Sequence, residues 1–99
     1  MRVSLSDEAQ ADANAATDWY IGDGAFVAAE DFANALDQAY GLLCDFPFLG
    51  EQAIRDTRIL ALHSFPYSLI YRIQGDEIRV IAIAHHSRRP RVLGWAAVG

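Results

Sequence analysis

The densest group of side chains that could carry chemistry lies near the C-terminus, where residues 85–91 read HHSRRPR. A histidine beside arginines can act as a general acid or base on a phosphodiester, with an arginine stabilising the charge that develops. The candidate catalytic residues for such a reaction are His85, His86, Arg88 and Arg89. Alternatively, one histidine closes a strand end and the other is exposed, because neighbouring residues of an extended chain point to opposite faces.

The other motifs of the chain exclude several classes of site. The sequence contains no GxxxxGK[ST] phosphate loop, no GxGxxG, no GxSxG elbow and no HExxH. The histidines lack cysteine or acidic partners at zinc-site spacing, so no metal or other cofactor is expected.

Cys44 is the one cysteine, which excludes an internal disulfide and favours a small buried side chain. No apolar run approaches the roughly 18 residues of a membrane span and no signal peptide is evident, so a cytoplasmic location is expected.

Charge is distributed unevenly along the 99 residues. The chain has 8 Arg, no Lys and 13 acids, which gives a net charge of −5. Residues 1–54 contain one Arg against ten acids, whereas residues 55–99 contain seven Arg against three acids. Such asymmetry indicates an interaction surface. The acidic total argues against broad, non-specific binding of nucleic acid, which requires many cations.

Two consecutive helices are predicted in the first half. Residues 2–5 alternate between polar and apolar and predict a short strand, and Ser6 is a suitable N-cap for a helix. Apolar residues then recur at helical spacing, with a break around Asp23, until Pro47 ends the second helix near residue 45. The apolar stripes are Ala9, Ala13, Ala16 and Tyr20, and then Ala29, Phe32, Leu36, Ala39, Tyr40 and Leu43. Together the two helices predict a helical hairpin.

The second half has the pattern of strands. After a loop at 48–57, three segments rich in Ile, Leu, Val and Tyr predict an antiparallel meander. These strands are residues 58–63, 67–73 and 78–84. The order β-α-α-β-β-β is an α+β fold, with the helical hairpin packed on one face of an antiparallel sheet. A single domain of residues 1–99 is expected, with a folded core at 1–84 and a basic tail at 85–99.

The register of the meander brings arginines together. A short turn around Gly75 places Arg72 directly opposite Arg79, and a three-residue connection at 64–66 would place Arg58 opposite Arg72. Like charges directly opposite destabilise a sheet, so the row favours a bound anion or carboxylate; alternatively, nearby acids neutralise it or it is solvated. The predicted arginine face also carries Leu60, Ile70, Ile81 and Ile83, and the other face carries Ile59, Ala61, Leu69, Tyr71, Ile73, Ile78, Val80 and Ala82. Both faces are apolar, so the face without helices needs cover, such as a partner segment.

The aromatic residues allow two interpretations. Trp19, Tyr67, Tyr71 and Trp95 could stack on nucleic-acid bases, but aromatic side chains at helix or strand spacing are more often core residues. Trp95 lies in a tail without a clear period, so it either docks the tail on the domain or is an exposed anchor for a partner. His63 is expected to be a structural or surface residue.

Six pieces of the chain occur in a characteristic order. They are LSDEAQAD at 5–12, Phe32 with Leu36, FPFLG at 46–50, FPYSLIYRIQGDEIRVIAIAH at 65–85, RRP at 88–90, and Trp95. In this order, and over nearly the whole chain, they resemble the RelE/ParE superfamily of type II toxin–antitoxin toxins. The β-α-α-β-β-β order reached above agrees with the fold of that superfamily.

The resemblance implies a small toxin that inhibits growth and is held silent by a cognate antitoxin, for example a ParD-like protein. It also implies a role in plasmid stabilisation and a toxin–antitoxin hetero-oligomer. Antitoxins of this kind wrap a partly disordered, often acidic segment around the toxin, which fits an apolar sheet face with arginines. The residues expected to contact the antitoxin are Arg58, Leu60, Ile70, Arg72, Arg79 and Ile81.

Two branches of the superfamily differ in target. RelE-like members cleave mRNA on the ribosome with basic residues and a C-terminal Tyr or His, whereas ParE-like members inhibit DNA gyrase. This chain has no Lys and no Tyr after Tyr71, and its acidic balance disfavours docking on rRNA. These departures favour a ParE-like, non-enzymatic gyrase inhibitor; the alternatives are a RelE-like endoribonuclease and a toxin fold that has lost activity and only binds a partner. The expected target contacts are His85, Arg88, Arg89, Arg91 and Trp95.

Overall fold

The computed structural model describes residues 1–87, in which two helices pack on one face of a five-stranded sheet. The elements are β1 (Arg2–Leu5), α1 (Asp7–Gly22), α2 (Phe26–Asp45), β2 (Glu51–Gln52), β3 (Thr57–Ala61), β4 (Tyr67–Gln74) and β5 (Glu77–His85). The strand order is β1-β5-β4-β3-β2; β1 runs parallel to β5 and the other neighbours are antiparallel. The predicted α+β class and helical hairpin are confirmed. The sheet is mixed, however, and the short β2 occupies part of the predicted loop.

Helix α1 begins at a capping serine and presents its smallest side chains to the sheet. The Ser6 hydroxyl accepts a hydrogen bond from the backbone N–H of Ala9 at 3.1 Å and donates one to the carbonyl of Ile81 at 3.1 Å. The buried stripe is alanine at positions 9, 13 and 16, as predicted. Because methyl groups are small, α1 packs closely on β5.

An aromatic cluster joins both helices to the sheet. Phe32 of α2 is fully buried, and its ring centroid lies 5.1 Å from that of Tyr67 and 5.4 Å from that of Phe65. Tyr20, at the end of the α1 stripe, lies 5.7 Å from the Phe32 ring. Tilted and edge-to-face contacts at such separations stabilise aromatic pairs beyond their burial alone. The predicted apolar stripes therefore form one core with the sheet.

The hairpin between β4 and β5 keeps the predicted register at its turn and loses it farther along. Arg72 pairs with Arg79, as expected. The register then shifts between Ile70 and Tyr71, which leaves Ile81 without a cross-strand partner. One extra residue on one strand is a β-bulge, and it reverses which residues of β5 face the helices beyond that point. Sequence alternation alone does not indicate this reversal.

The turn between β3 and β4 also differs from the prediction. It spans four residues, 63–66, instead of three. The extra residue moves the pairing by one position, so Arg58 pairs with Tyr71, and Thr57 lies opposite Arg72. A shift of one residue transfers a side chain to the other face of a sheet. The predicted row of three arginines is therefore wrong, and only its Arg72–Arg79 part exists.

These two irregularities correct the predicted faces of the sheet. Ile83 lies in the core beneath the helices and Leu60 packs against that core, although both were predicted beside the arginines. We call the side of the sheet opposite the helices the open face. Its residues are Arg2, Ser4, Glu51, Thr57, Ile59, Ala61, Ser68, Ile70, Arg72, Gln74, Glu77, Arg79, Ala82 and Ala84. Of these, Thr57, Ser68, Ile70 and Ala82 are buried.

The cysteine of α2 is less buried than predicted. Cys44 is a free thiol that is only partly buried, so the prediction of a buried side chain was too strong. Within residues 1–87, neither helix combines the length and hydropathy that a membrane-spanning segment requires.

Candidate protein-binding surfaces

Two arginines lie side by side on the open face. Arg72 of β4 and Arg79 of β5 are cross-strand partners, and both side chains are partly buried. Arg79 Nη1 donates to the hydroxyl of Ser4 at 3.1 Å, and Arg72 Nη2 donates to the carbonyl of Arg55 at 3.2 Å. Neither guanidinium forms an ion pair with a carboxylate of residues 1–87. This arginine pair therefore offers its charge to a group outside the described chain.

The carbonyl that Arg72 contacts belongs to a strained turn. Arg55 and Asp56 both have positive φ, at 55° and 59°. Thr57 closes the turn, since its N–H donates to the carbonyl of Ile54 at 3.1 Å. Residues with a Cβ adopt this left-handed region at a cost of about 1–2 kcal/mol each. The turn between β2 and β3 thus places a backbone acceptor at one end of the arginine pair.

Arg58 lies on the helix-covered side of the sheet edge, away from the arginine pair. Its Nη1 donates to the carbonyls of Gly50 at 2.8 Å and Phe48 at 3.3 Å. Its guanidinium carbon lies 4.9 Å from the centroid of the Phe48 ring, within the range of a cation–π contact. Arg58 thus holds the turn after α2 and lies apart from the other two arginines.

The hydroxyl of Tyr71 holds the same turn through two hydrogen bonds. It donates to the carbonyl of Pro47 at 2.8 Å and accepts from the N–H of Gly50 at 2.8 Å. A Cβ at position 50 would lie 2.7 Å from the Tyr71 ring and hydroxyl, so only glycine fits there. Burial raises the pKa of Tyr71 above its usual value, although the Gly50 hydrogen bond and the Arg58 charge act in the opposite direction. No predicted motif indicated this network, although the glycine that ends FPFLG was a signal for it.

The two histidines at the end of β5 lie on different sides of the sheet. The His85 ring contacts the Tyr67 ring edge-to-face at 4.9 Å, and its Nδ1 accepts the backbone N–H of Ser87 at 3.0 Å. His86 Nε2 lies 2.8 Å from the hydroxyl of Ser68, on the open face. The expectation that neighbouring histidines point apart is confirmed. The other predicted residues of this group, Arg88, Arg89, Arg91 and Trp95, lie outside the described residues.

A groove runs between α2 and β3. It has a volume of about 690 Å³ and extends from Asp31 to Leu42 along the helix. Leu60 and Leu62 of β3 line its other wall, and Phe65 and the exposed His63 close it at the β3–β4 turn. The helix wall mixes Ala35, Ala39 and Leu42 with the polar side chains of Asp31, Asn34 and Gln38, so a groove of this length fits an amphipathic helix or an extended segment of a partner. Leu60, predicted to contact a partner, is therefore separated from the arginine pair by the sheet.

The aromatic residues divide into buried and exposed groups. Tyr67 and Tyr71 are core residues, in agreement with the more common role of aromatic side chains at strand spacing. Trp19 is 61% exposed, so the same expectation was wrong for it. Other exposed apolar residues are Ile21, Phe26 and Val27 around the helical hairpin loop and Leu42, Phe46, Phe48 and Leu49 after it. The apolar stripes of the two helices do not include these residues, so helix periodicity does not explain why they are apolar and exposed.

Comparison with known proteins agrees with this architecture. A solved structure described as the chromosomal ParDE TA system from P. aeruginosa superposes with a TM-score of 0.74 at 23% identity, covering 86% of this chain and 95% of that chain. At that identity the similarity establishes the fold. No match is found among curated protein sequences. A helical hairpin on one face of a mixed sheet, with two arginines on the other face that form no ion pair within residues 1–87, thus defines a small α+β protein that shares this fold.

The family follows from the sequence comparison. Residues 3–90 match the family model described as ParE toxin of the type II toxin-antitoxin system, parDE. Because the match spans most of the chain, the protein belongs to the ParE toxin family. The resemblance that the ordered motifs indicated is thereby confirmed.

Proposed function

We propose that this ParE-family toxin is neutralised by a cognate antitoxin and acts by inhibiting DNA gyrase. Membership of the ParE family supports the toxin assignment, and the similar structure from a ParDE system supports an antitoxin partner. The observation that carries the choice of gyrase is the match of residues 3–90 to the ParE toxin family, since the ParE-like branch is the one expected to inhibit gyrase. His85 contacts Tyr67 on the helix-covered side, whereas His86 contacts Ser68 on the open face. This separation disfavours a reaction that uses both histidines on one phosphodiester, whereas cleavage by one histidine with Arg88 or Arg89 is the alternative that experiment must test.

Within residues 1–87, the sheet around His86 offers no arginine, and the cations that cleavage would use, Arg88 and Arg89, lie outside the described residues. The cross-strand neighbours of Ser68 are Ala61 and Ala84, both small and apolar. An RNA-cleaving site needs a cation where negative charge develops. Among residues 1–87, the open-face arginines Arg72 and Arg79 lie toward the opposite end of β4 and β5. Contacts with the target are proposed for His85 and, beyond the described residues, for the basic tail with Trp95.

A supercoiling assay tests the proposal. Purified toxin is titrated into DNA gyrase with relaxed plasmid, and half-inhibition at a stoichiometric or modest excess of toxin is expected. In parallel, mRNA 5′ ends are mapped after induction of the toxin. Unaffected gyrase at high toxin excess would overturn the gyrase proposal. New mRNA ends would then favour the ribonuclease alternative, and normal growth without antitoxin would favour a binding protein without toxic activity.

The His86→Ala variant sharpens this test. His86 is a ribonuclease candidate and is not a proposed gyrase contact. The variant is therefore expected to inhibit gyrase like the wild-type protein. Urea unfolding measures how much stability is lost with the hydrogen bond to Ser68. A folded His86→Ala protein that no longer arrests growth would contradict the gyrase proposal and favour cleavage by His86.

For the antitoxin, we infer an interface with two parts. An acidic segment pairs with Arg72 and Arg79, which have no carboxylate partner in residues 1–87. An amphipathic segment fills the groove that Leu60 lines. The two parts lie on opposite sides of the sheet, so a flexible chain must wrap around the edge formed by β2 and β3. Ile70 and Ile81, also predicted as antitoxin contacts, lie in the central strands of the sheet. Ile70 is 1% exposed, so it offers almost no surface to a partner.

Charge reversal tests the arginine part of this interface. Arg72→Glu is expected to weaken antitoxin binding by at least tenfold at low salt, since truncating one charge of a close pair commonly costs about 2 kcal/mol or more. A matched control, Gln10→Glu with Asn14→Glu, makes the same net-charge change on the exposed side of α1. The control is expected to bind like the wild-type protein in isothermal titration calorimetry. Unchanged affinity of Arg72→Glu at low salt, where charge effects are largest, would show that the arginine pair is not a contact.

A further inference from the structure

The loop end of the helical hairpin exposes several large apolar side chains. Trp19 is 61% exposed, Ile21 44%, Phe26 66% and Val27 74%. We call these four residues the hairpin tip. They lie within nine consecutive residues, and a tight loop holds the helix ends together: Ala25 N–H donates to the carbonyl of Tyr20 at 2.9 Å. The loop therefore holds four exposed apolar side chains at one end of the helical hairpin, with Trp19 and Ile21 on different sides of α1.

Packing within the domain does not require the tip. Helix α1 contacts the sheet through its alanine stripe and Tyr20, and α2 contacts it through Phe32 and neighbours on that face. Single exposed apolar residues are ordinary, whereas a group of them with two aromatic rings is typical of a protein-interaction site. Trp19 and Phe26 are of the types that most often anchor protein interfaces.

The charge around the tip indicates the chemistry of the partner. Residues 3–54 contain no Lys, Arg or His. Asp18, Asp23 and Glu30 flank the tip, are exposed, and form no ion pair within residues 1–87. A second copy of the tip would place these carboxylates against one another, which is unfavourable. A cationic protein surface would instead complement them and speed association.

We propose that the hairpin tip docks on a cationic surface of the toxin's protein target, with Trp19 and Phe26 as anchors and Asp18, Asp23 and Glu30 as the acidic rim. This inference rests on the proposed function, in which the target is DNA gyrase. An enzyme that binds DNA must present Lys and Arg to the phosphates, and such a surface is complementary to an acidic tip. The arginine pair remains available to the antitoxin.

Two variants test the anchors and the rim separately with purified DNA gyrase as the probe. Trp19→Ala with Phe26→Ala removes the anchors, and at least tenfold more toxin is expected for half-inhibition of supercoiling, as for interface hot spots. Asp18→Asn, Asp23→Asn and Glu30→Gln together keep every apolar side chain. This second variant is expected to associate more slowly with gyrase at low salt and to lose most of the salt dependence of the wild-type rate.

A matched control carries the same kind of truncation elsewhere. Phe46→Ala with Leu49→Ala removes two exposed apolar side chains after α2 and is expected to inhibit gyrase like the wild-type protein. Urea unfolding of all variants distinguishes a lost contact from a loss of folding. If the anchor variant proves unstable, the test rests on the charge variant. Wild-type-like inhibition by both tip variants would overturn this inference and leave the gyrase proposal intact. Failure of the wild-type toxin to inhibit gyrase would overturn both.

Discussion

The two faces of the sheet differ in what their side chains do within residues 1–87. On the helix-covered face, the Tyr71 hydroxyl has both a donor and an acceptor, and the Phe32 ring contacts aromatic neighbours. On the open face, Arg72 and Arg79 are cross-strand partners, and neither forms an ion pair with a carboxylate of residues 1–87. The first face therefore contributes to folding, whereas the second keeps two like charges on paired residues, with Arg79 bonded to Ser4 and Arg72 to the Arg55 carbonyl. Like charges on paired residues are expected where a surface is adapted to a partner and not to stability.

The largest effect is expected on the helix-covered face, at the Tyr71 hydroxyl. Tyr71→Phe removes one oxygen and leaves the buried N–H of Gly50 and the carbonyl of Pro47 without that partner. We expect a loss of about 1–3 kcal/mol in the free energy of unfolding, measured by urea denaturation. Tyr20→Phe is the control, because the Tyr20 hydroxyl makes no hydrogen bond with residues 1–87. Equal stability of the two variants would contradict the role assigned to this network.

On the open face, a substitution is expected to raise the free energy of unfolding. Arg72→Thr removes a like charge and introduces a residue that suits strands, so stability should rise by about 0.2–1 kcal/mol at low salt. The gain should shrink as salt screens the repulsion. Arg2→Thr is the control, since Arg2 forms an ion pair with Glu77 at 3.5 Å and its removal relieves no repulsion. A loss of stability in Arg72→Thr at low salt would show that the pair does not repel.

The smallest effect appears only at alkaline pH and concerns α2. Burial, reinforced by the Asp37 carboxylate, raises the pKa of Tyr40 to about 12. The unfolded chain releases this proton near pH 10, so the neutral phenol of the folded state stabilises below that pH. Stability should fall as pH rises from about 10 to about 12, and Tyr40→Phe should reduce this slope. Urea unfolding between pH 9 and 11 measures it; an unchanged slope would contradict the raised pKa.

The sequence predicted the elements better than their pairing. Periodicity identified both helices, the buried alanines of α1 and Phe32, because a helix face is determined by residues three and four apart. Arg72 opposite Arg79 was also correct, since a short turn determines the register next to it. The row extending to Arg58 was wrong because one extra turn residue moves the pairing by one position, and alternation does not reveal turn length.

The candidate surfaces were predicted only in part for a similar reason. The ordered motifs led to the right superfamily, and the opposed directions of His85 and His86 followed from extended geometry. The groove beside Leu60 and the exposure of Trp19 were not predicted. Both depend on where α2 and the hairpin loop lie relative to the sheet, and local spacing in the sequence carries no such information.

The sequence by itself determined the order of the elements apart from the short β2, the acidic first half and the family resemblance. These follow from local periodicity, from composition and from motif order. Tertiary structure alone decided which residues share a face. The bulge at Ile81 places Ile83 beneath the helices, the four-residue turn removes Arg58 from the open face, and Tyr71 holds Gly50 in place. Each is a long-range contact, whose energy depends on neighbours far apart in the chain.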